Sequence, residues 1–168
     1  MITALTRALV AIMAIAMIAG PTASAAAPAK DKAAGKEKEP LVVPTYVQLT
    51  IPNAPLLNRD PPSTPVTFYL KATDKTALAT ICEYAPRLND TLLRHLQANP
   101  IPVQGRSLKL TGVGGKALGP INGALGRPLV SEVEVLAGVP GGGAKKVITL
   151  PFGTAGDCRT IKEVLGKK

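Results

Sequence analysis

One apolar stripe, interrupted by a single proline, constrains this chain more than any other feature. Leu78, Ile81, Ala85, Leu88, Leu92 and Leu96 recur at intervals of 3, 4, 3, 4 and 4 residues, which places them on one face of a helix. Asp74 heads the run with a carboxylate suited to accept from the free amides of a first helical turn. Pro86 lies inside the run, where it removes a donor and crowds the carbonyl of Cys82, so the spacing predicts a kink or two successive helices on one axis. Asn99-Pro100-Ile101-Pro102 ends the helical pattern. A stripe of this length needs an apolar surface to cover, and the flanking segments offer one.

Val66, Phe68, Leu70 and Ala72 alternate with Thr67, Tyr69 and Lys71, the period of a half-buried strand rich in β-branched and aromatic residues. An earlier strand over Thr45 to Ile51 sets Val47, Leu49 and Ile51 against Tyr46, Gln48 and Thr50, and Pro52-Asn53-Ala54-Pro55 is expected to stop it. Asn58 to Pro65 reads as the turn that lets the two strands pair antiparallel. Further on, the Gly-rich stretch Leu108 to Leu125 suggests a short helix from about Lys116 that uses Leu118, Ile121 and Leu125. Leu129 to Ala137 returns to strand, with Ser131, Val133, Val135 and Ala137 facing away from Glu132 and Glu134. Pro140 to Gly143 is a turn signal, Lys145 to Leu150 a hairpin partner, and Asp157 the cap of a final helix through Leu165. The order of elements implies an α+β fold: a small antiparallel or mixed sheet packed by an amphipathic, Pro-kinked helix and one or two short helices. Sixteen Gly and 16 Pro exclude a long coiled coil or an all-helical bundle.

Residues 1–25 have the layout of a cleavable secretory signal: Arg7, an apolar run from Ala8 to Ala19, the breaker Gly20-Pro21, and the small-residue site Ala23-Ser24-Ala25. The alternative is an uncleaved anchor helix in the inner membrane, but the run falls short of the ~20 apolar residues a bilayer span requires. Residues 26–40 lack large apolar side chains and mix four Lys with three acids, so they read as a flexible tether. Processing leaves 19 basic and 11 acidic residues, a net charge of +8, most of it on residues 41–168. The expected location is the periplasm. In that oxidising compartment Cys82 and Cys158 are the only pair available for a disulfide, the alternative being two separately buried thiols.

Little in the sequence supports catalysis. One His and two Cys are too few for a structural zinc cluster. Gly112-Val-Gly-Gly-Lys116-Ala117 departs from the phosphate-loop spacing at Leu110 and Ala117. His95 has no carboxylate at helical spacing, the serines lack a nucleophile elbow, and Glu132/Glu134 reads as a solvated edge pair. Neither an enzyme activity nor a cofactor is therefore expected. Between Asp90 and Glu132, however, Arg94, Arg106, Lys109, Lys116 and Arg127 occur without an acid, a candidate basic surface for a partner. Export and scarce aromatics argue against nucleic acid as that partner; anionic lipid, cell-wall polymer or an acidic protein surface fits the charge, and a merely solubilising surface is the plain alternative.

The segments Val66-Thr-Phe-Tyr-Leu-Lys-Ala-Thr-Asp-Lys75 and Tyr84-Ala-Pro-Arg-Leu-Asn-Asp-Thr-Leu-Leu-Arg-His-Leu96 resemble the periplasmic domain of the flagellar basal-body-associated FliL family. Pro86, Leu88, Asp90, Leu93 and Leu96 fall on the family's helix pattern, and Tyr46-Val-x-Leu49 with Ile51-Pro52, and Ile121-Asn122-x-x-Leu125 running into Val130-x-x-Val133-x-Val135, look like its first strand and its final helix-to-strand passage. The likeness spans residues 41–138. Residues 139–168 form a C-terminal hairpin and helix extension, expected to be stapled back to Cys82. The resemblance implies a non-enzymatic, stomatin-like module that assembles into rings around flagellar motor stator units. Expected partners are thus stator components, further copies of the chain, and the inner-membrane surface. The competing function is an envelope binding module that recognises an anionic partner through the basic residues; a third is an unrecognised envelope hydrolase.

Overall fold

The computed structural model describes residues 42–140 and 147–166. The proposed signal peptide (1–25), the tether (26–40), the Gly141–Gly143 part of the turn, and Lys145 and Lys146 lie outside the described residues. Among the described residues the fold is α+β, a mixed sheet packed by four helices. In chain order the elements are β1 (Tyr46–Leu57), β2 (Ser63–Ala72), α1 (Lys75–Glu83), α2 (Ala85–Ala98), β3 (Ile101–Gln104), β4 (Ser107–Leu108), α3 (Val113–Leu125), β5 (Val130–Ala137), β6 (Ile148–Leu150), β7 (Gly153–Gly156) and α4 (Cys158–Leu165). The main strand order is β4-β3-β1-β2-β5, and β7 joins β1 beyond that path.

The helical stripe behaves as its spacing requires. The amide of Ala77 donates to Asp74 Oδ1 at 2.8 Å, which caps α1. Pro86 sits in the first turn of α2, where its missing amide costs no helical bond, so the break falls at Tyr84 and yields two helices. Leu78, Ile81, Leu88, Leu92 and Leu96 are all buried against Val47, Leu49 and Ile51 of β1, Val66, Phe68 and Leu70 of β2, and Val133 and Val135 of β5. The strand expected over 66–72 is an interior strand of the sheet, with β1 and β5 antiparallel on either side of it.

Three expectations need correction, and one hairpin had no expectation at all. First, β1 does not stop at Pro52. It continues to Leu57 because Pro52 and Asn53 face the single residue Pro65 across a bulge, where neither proline is asked for a ladder amide. Ile101–Gln104 and Ser107–Leu108 form that small hairpin, turned at Gly105 with φ +60°, and β3 runs parallel to the end of β1. Second, α3 begins at Val113, not near Lys116. Gly114 lets the helix pass so near β5 that a Cβ there would collide with the Val133 carbonyl oxygen, and this packing outweighs the poor helix propensity of two adjacent glycines. Third, Ile148–Leu150 pairs with β7 and not with β5, and Ser131 is the extra residue of a second bulge, exposed and not on the buried face.

Part of the sheet's other face is also covered. Phe152, in the tight turn between β6 and β7, packs edge-on against Tyr46 and Tyr69 at ring-centroid distances of 5.0 and 5.9 Å. Both tyrosines, expected on the polar face, are thereby buried with Ala155 in a second small core. β7 extends the sheet by parallel pairing of Ala155 and Gly156 with Tyr46 and Val47. The C-terminal segment is therefore a structural member of the sheet.

Candidate functional site

Asp157 caps α4 by accepting from the Thr160 amide at 2.7 Å. Ile161 is fully buried in the main core, and α4 lies against α1. That docking brings Cys158, the first residue of α4, to Cys82 on α1 with a Cα–Cα distance of 5.2 Å, and the two form a disulfide across 76 residues of sequence. The extension is thus stapled onto the first helix, the pairing expected from the two cysteines and the Asp157 cap.

The five basic residues fall on several elements. Arg94 is exposed on α2 and pairs with Asp90 one turn earlier at 3.0 Å. Lys116 is exposed in the first turns of α3, and Arg127 in the α3–β5 connection, where its charge helps to hold the Asp74 carboxyl below its ordinary range. The larger cause of that depression is the hydrogen bond from the Ala77 amide. Arg106, in the β3–β4 turn, and Lys109, just past β4, are neighbours in the chain. Arg59 joins them: its Nη1 donates to the Arg106 carbonyl at 3.3 Å. Only the parallel pairing of β3 with the end of β1 brings Arg59 there, and no sequence signal marked it.

The carboxylates on β5 differ in their surroundings. Glu132 Oε2 accepts from Lys71 Nζ at 3.0 Å and from the Tyr46 hydroxyl at 3.3 Å. The hydrogen bond from Lys71 and its charge hold the Glu132 carboxyl below the usual range, and the same bond raises the Lys71 ammonium. Burial, then the Glu132 charge, pushes the Tyr46 hydroxyl up. Lys71 also sits 5.9 Å from the Tyr46 ring centroid, so the group knits β1, β2 and β5 together on the face that Phe152 caps. Chemically, this is a satisfied ion pair, with no free acid and base set across a common space.

Gly112, singled out with the phosphate-loop comparison, has φ +78° and precedes α3, and Gly114 is occupied by its approach to Val133. Among the described residues no group of three or more His, Cys, Asp and Glu side chains is placed to hold a metal ion. No helix among them is long and apolar enough to cross a membrane. The chain matches no family model, no curated protein and no solved structure.

Proposed function

We propose that this chain is a non-catalytic periplasmic accessory or scaffold domain resembling FliL, acting by protein–protein contacts near the inner membrane, with flagellar stator components as its partners. The observation that carries the reading is local. The strand leading through Asp74 into a helix broken at Tyr84, just ahead of Pro86, folds as one packed unit, and Asn122 joins the last two segments of the resemblance. Its side chain donates to the Val130 carbonyl at 2.9 Å and accepts from the Val130 amide at 3.0 Å, tying α3 to the start of β5. The Cys82–Cys158 disulfide supports an oxidising compartment. Deletion of the gene in its native host, with complementation, tests the reading. Reduced swimming with filaments intact, and a tagged copy that gathers at flagellar bases, are expected; unchanged swimming, or a host genome without flagellar genes, overturns it.

A second reading, an envelope module that recognises an anionic partner through basic residues, draws support from Arg59 and Arg106. Both are exposed side by side, and neither forms an ion pair among the described residues. Binding to an anionic surface that weakens as salt rises is its expected signature.

A further inference from the structure

One end of the sheet combines positive charge with exposed aliphatic side chains. Strand register gathers there the last residues of β1, the first of β2, the last of β5 and the β3–β4 hairpin: Leu57 lies opposite Pro102, Ser63 opposite Pro55, and Ala137 opposite Val66. The Gly138 amide donates to the Pro65 carbonyl at 2.9 Å, which holds the exit of β5 at the same end. Leu56, Leu108, Leu110 and Ala137 line a surface groove of about 440 Å³, with Arg59 and Arg106 on its wall. Lys109 is exposed beside it; Asp60 is the acid nearest in sequence, and it forms no ion pair among the described residues.

The described residues include five large hydrophobic side chains that are exposed, and three of them belong to this end: Leu57 at 48%, Leu136 at 39% and Val139 at 62%. A site for a small soluble anion needs the guanidinium groups but has no use for these aliphatic residues. A neutral apolar partner would leave the arginines without counter-charge. Together the two match a surface whose outer layer is anionic phosphate and whose inner layer is hydrocarbon.

We propose that this end of the sheet docks on an anionic lipid bilayer, Arg59 and Arg106 meeting lipid phosphates while Leu57, Leu136 and Val139 reach the acyl boundary. The proposal rests on the anionic-partner reading and adds to it the partner and the site. It places the contact on folded residues, independent of whatever the N-terminal segment does.

The chain contains no Trp, so Val139→Trp provides a single reporter at the proposed contact. With vesicles containing phosphatidylglycerol, its emission is expected to shift to the blue and to be quenched by brominated acyl chains. Vesicles of phosphatidylcholine alone are expected to do neither. Adding Arg59→Gln and Arg106→Gln, with the thermal midpoint checked to confirm folding, is expected to raise the lipid concentration for half-maximal shift roughly 30-fold. No shift on phosphatidylglycerol vesicles, a shift indifferent to the two arginines, or displacement by millimolar inorganic phosphate at constant ionic strength overturns the docking. If flotation with phosphatidylglycerol vesicles depends on Lys116 and Arg127 but not on Arg59 and Arg106, the docking fails and the anionic-partner reading stands. No lipid-dependent flotation and no salt-sensitive binding to any anionic polymer overturns both.

Discussion

Removing the disulfide by Cys82→Ala with Cys158→Ala is expected to cost this fold a large share of its stability. The bridge closes a loop across 76 residues, and chain-entropy reasoning assigns such a loop ~4.5 kcal/mol at room temperature, of which natural bridges commonly deliver about 2–4 kcal/mol. Domains of this size are held by about 5–15 kcal/mol in total, so the loss is easy to see. With a urea slope of about 1.5 kcal/mol per M, the unfolding midpoint is expected to fall by roughly 1.3–2.7 M. Alanine is chosen because Cys82 is 4% exposed, and a serine hydroxyl there would add its own burial penalty. Hydrogen exchange localises the effect: amides of α4, which has only Ile161 and Thr160 buried, are expected to lose protection before those of β2. An unfolding free energy within about 0.5 kcal/mol of the oxidised wild type refutes the loop-closure reasoning. Two free thiols in the denatured, unreduced native protein refute the bridge itself.

Gly114→Ala is expected to destabilise by about 2–3 kcal/mol, because its Cβ would meet the Val133 carbonyl. Gly115→Ala, with nothing near its Cβ, is expected to stabilise α3 by about 0.5–1 kcal/mol, so thermal melts of the pair test the helix position by sign. Asn122→Ala leaves the Val130 amide and carbonyl without their partner and is expected to cost about 1–3 kcal/mol in urea unfolding, whereas its neighbour Gly123→Ala, open like Gly115, is expected to shift stability the opposite way. The folded-state depression of Asp74 and Glu132 contributes stability that is present above their unfolded values near 3.8 and 4.5 and is lost as pH falls through the lower folded values. Lys71 and Tyr46 are raised, so their contribution is present below 10.5 and 10.0 and is lost as pH rises through the folded values; unfolding midpoints from pH 2 to 11 check both limbs, and Glu132→Gln is expected to flatten each. Mass spectrometry of the periplasmic fraction is expected to find a mature N-terminus at or near Ala26.

The sequence by itself determined the features whose physics is local. A helix repeats every three or four residues, so the stripe from Leu78 to Leu96 announced its own buried face, and Pro86 and Asp74 marked a break and a start from the bonds each can or cannot make. The strands around Val66 and Val133 and the Asp157 cap were legible for the same reason. The cysteine pairing followed from count and compartment, with docking of a short amphipathic helix onto the first one. What only the tertiary structure decided is the set of contacts between distant segments. β1 runs on past Pro52 because its bulge requires no amide there, and whether a proline sits in a bulge depends on its partner strand. Tyr46 and Tyr69 alternate as polar-face residues, yet they are buried because Phe152, more than 80 residues downstream of Tyr69, covers that face. The basic residues read as one block along the chain, but Arg106 has as its neighbour Arg59, 47 positions earlier, because β3 pairs in parallel with the end of β1. Charge carries no periodicity and few geometric demands, so sequence can count it, while only the packing of distant strands assigns it to a surface.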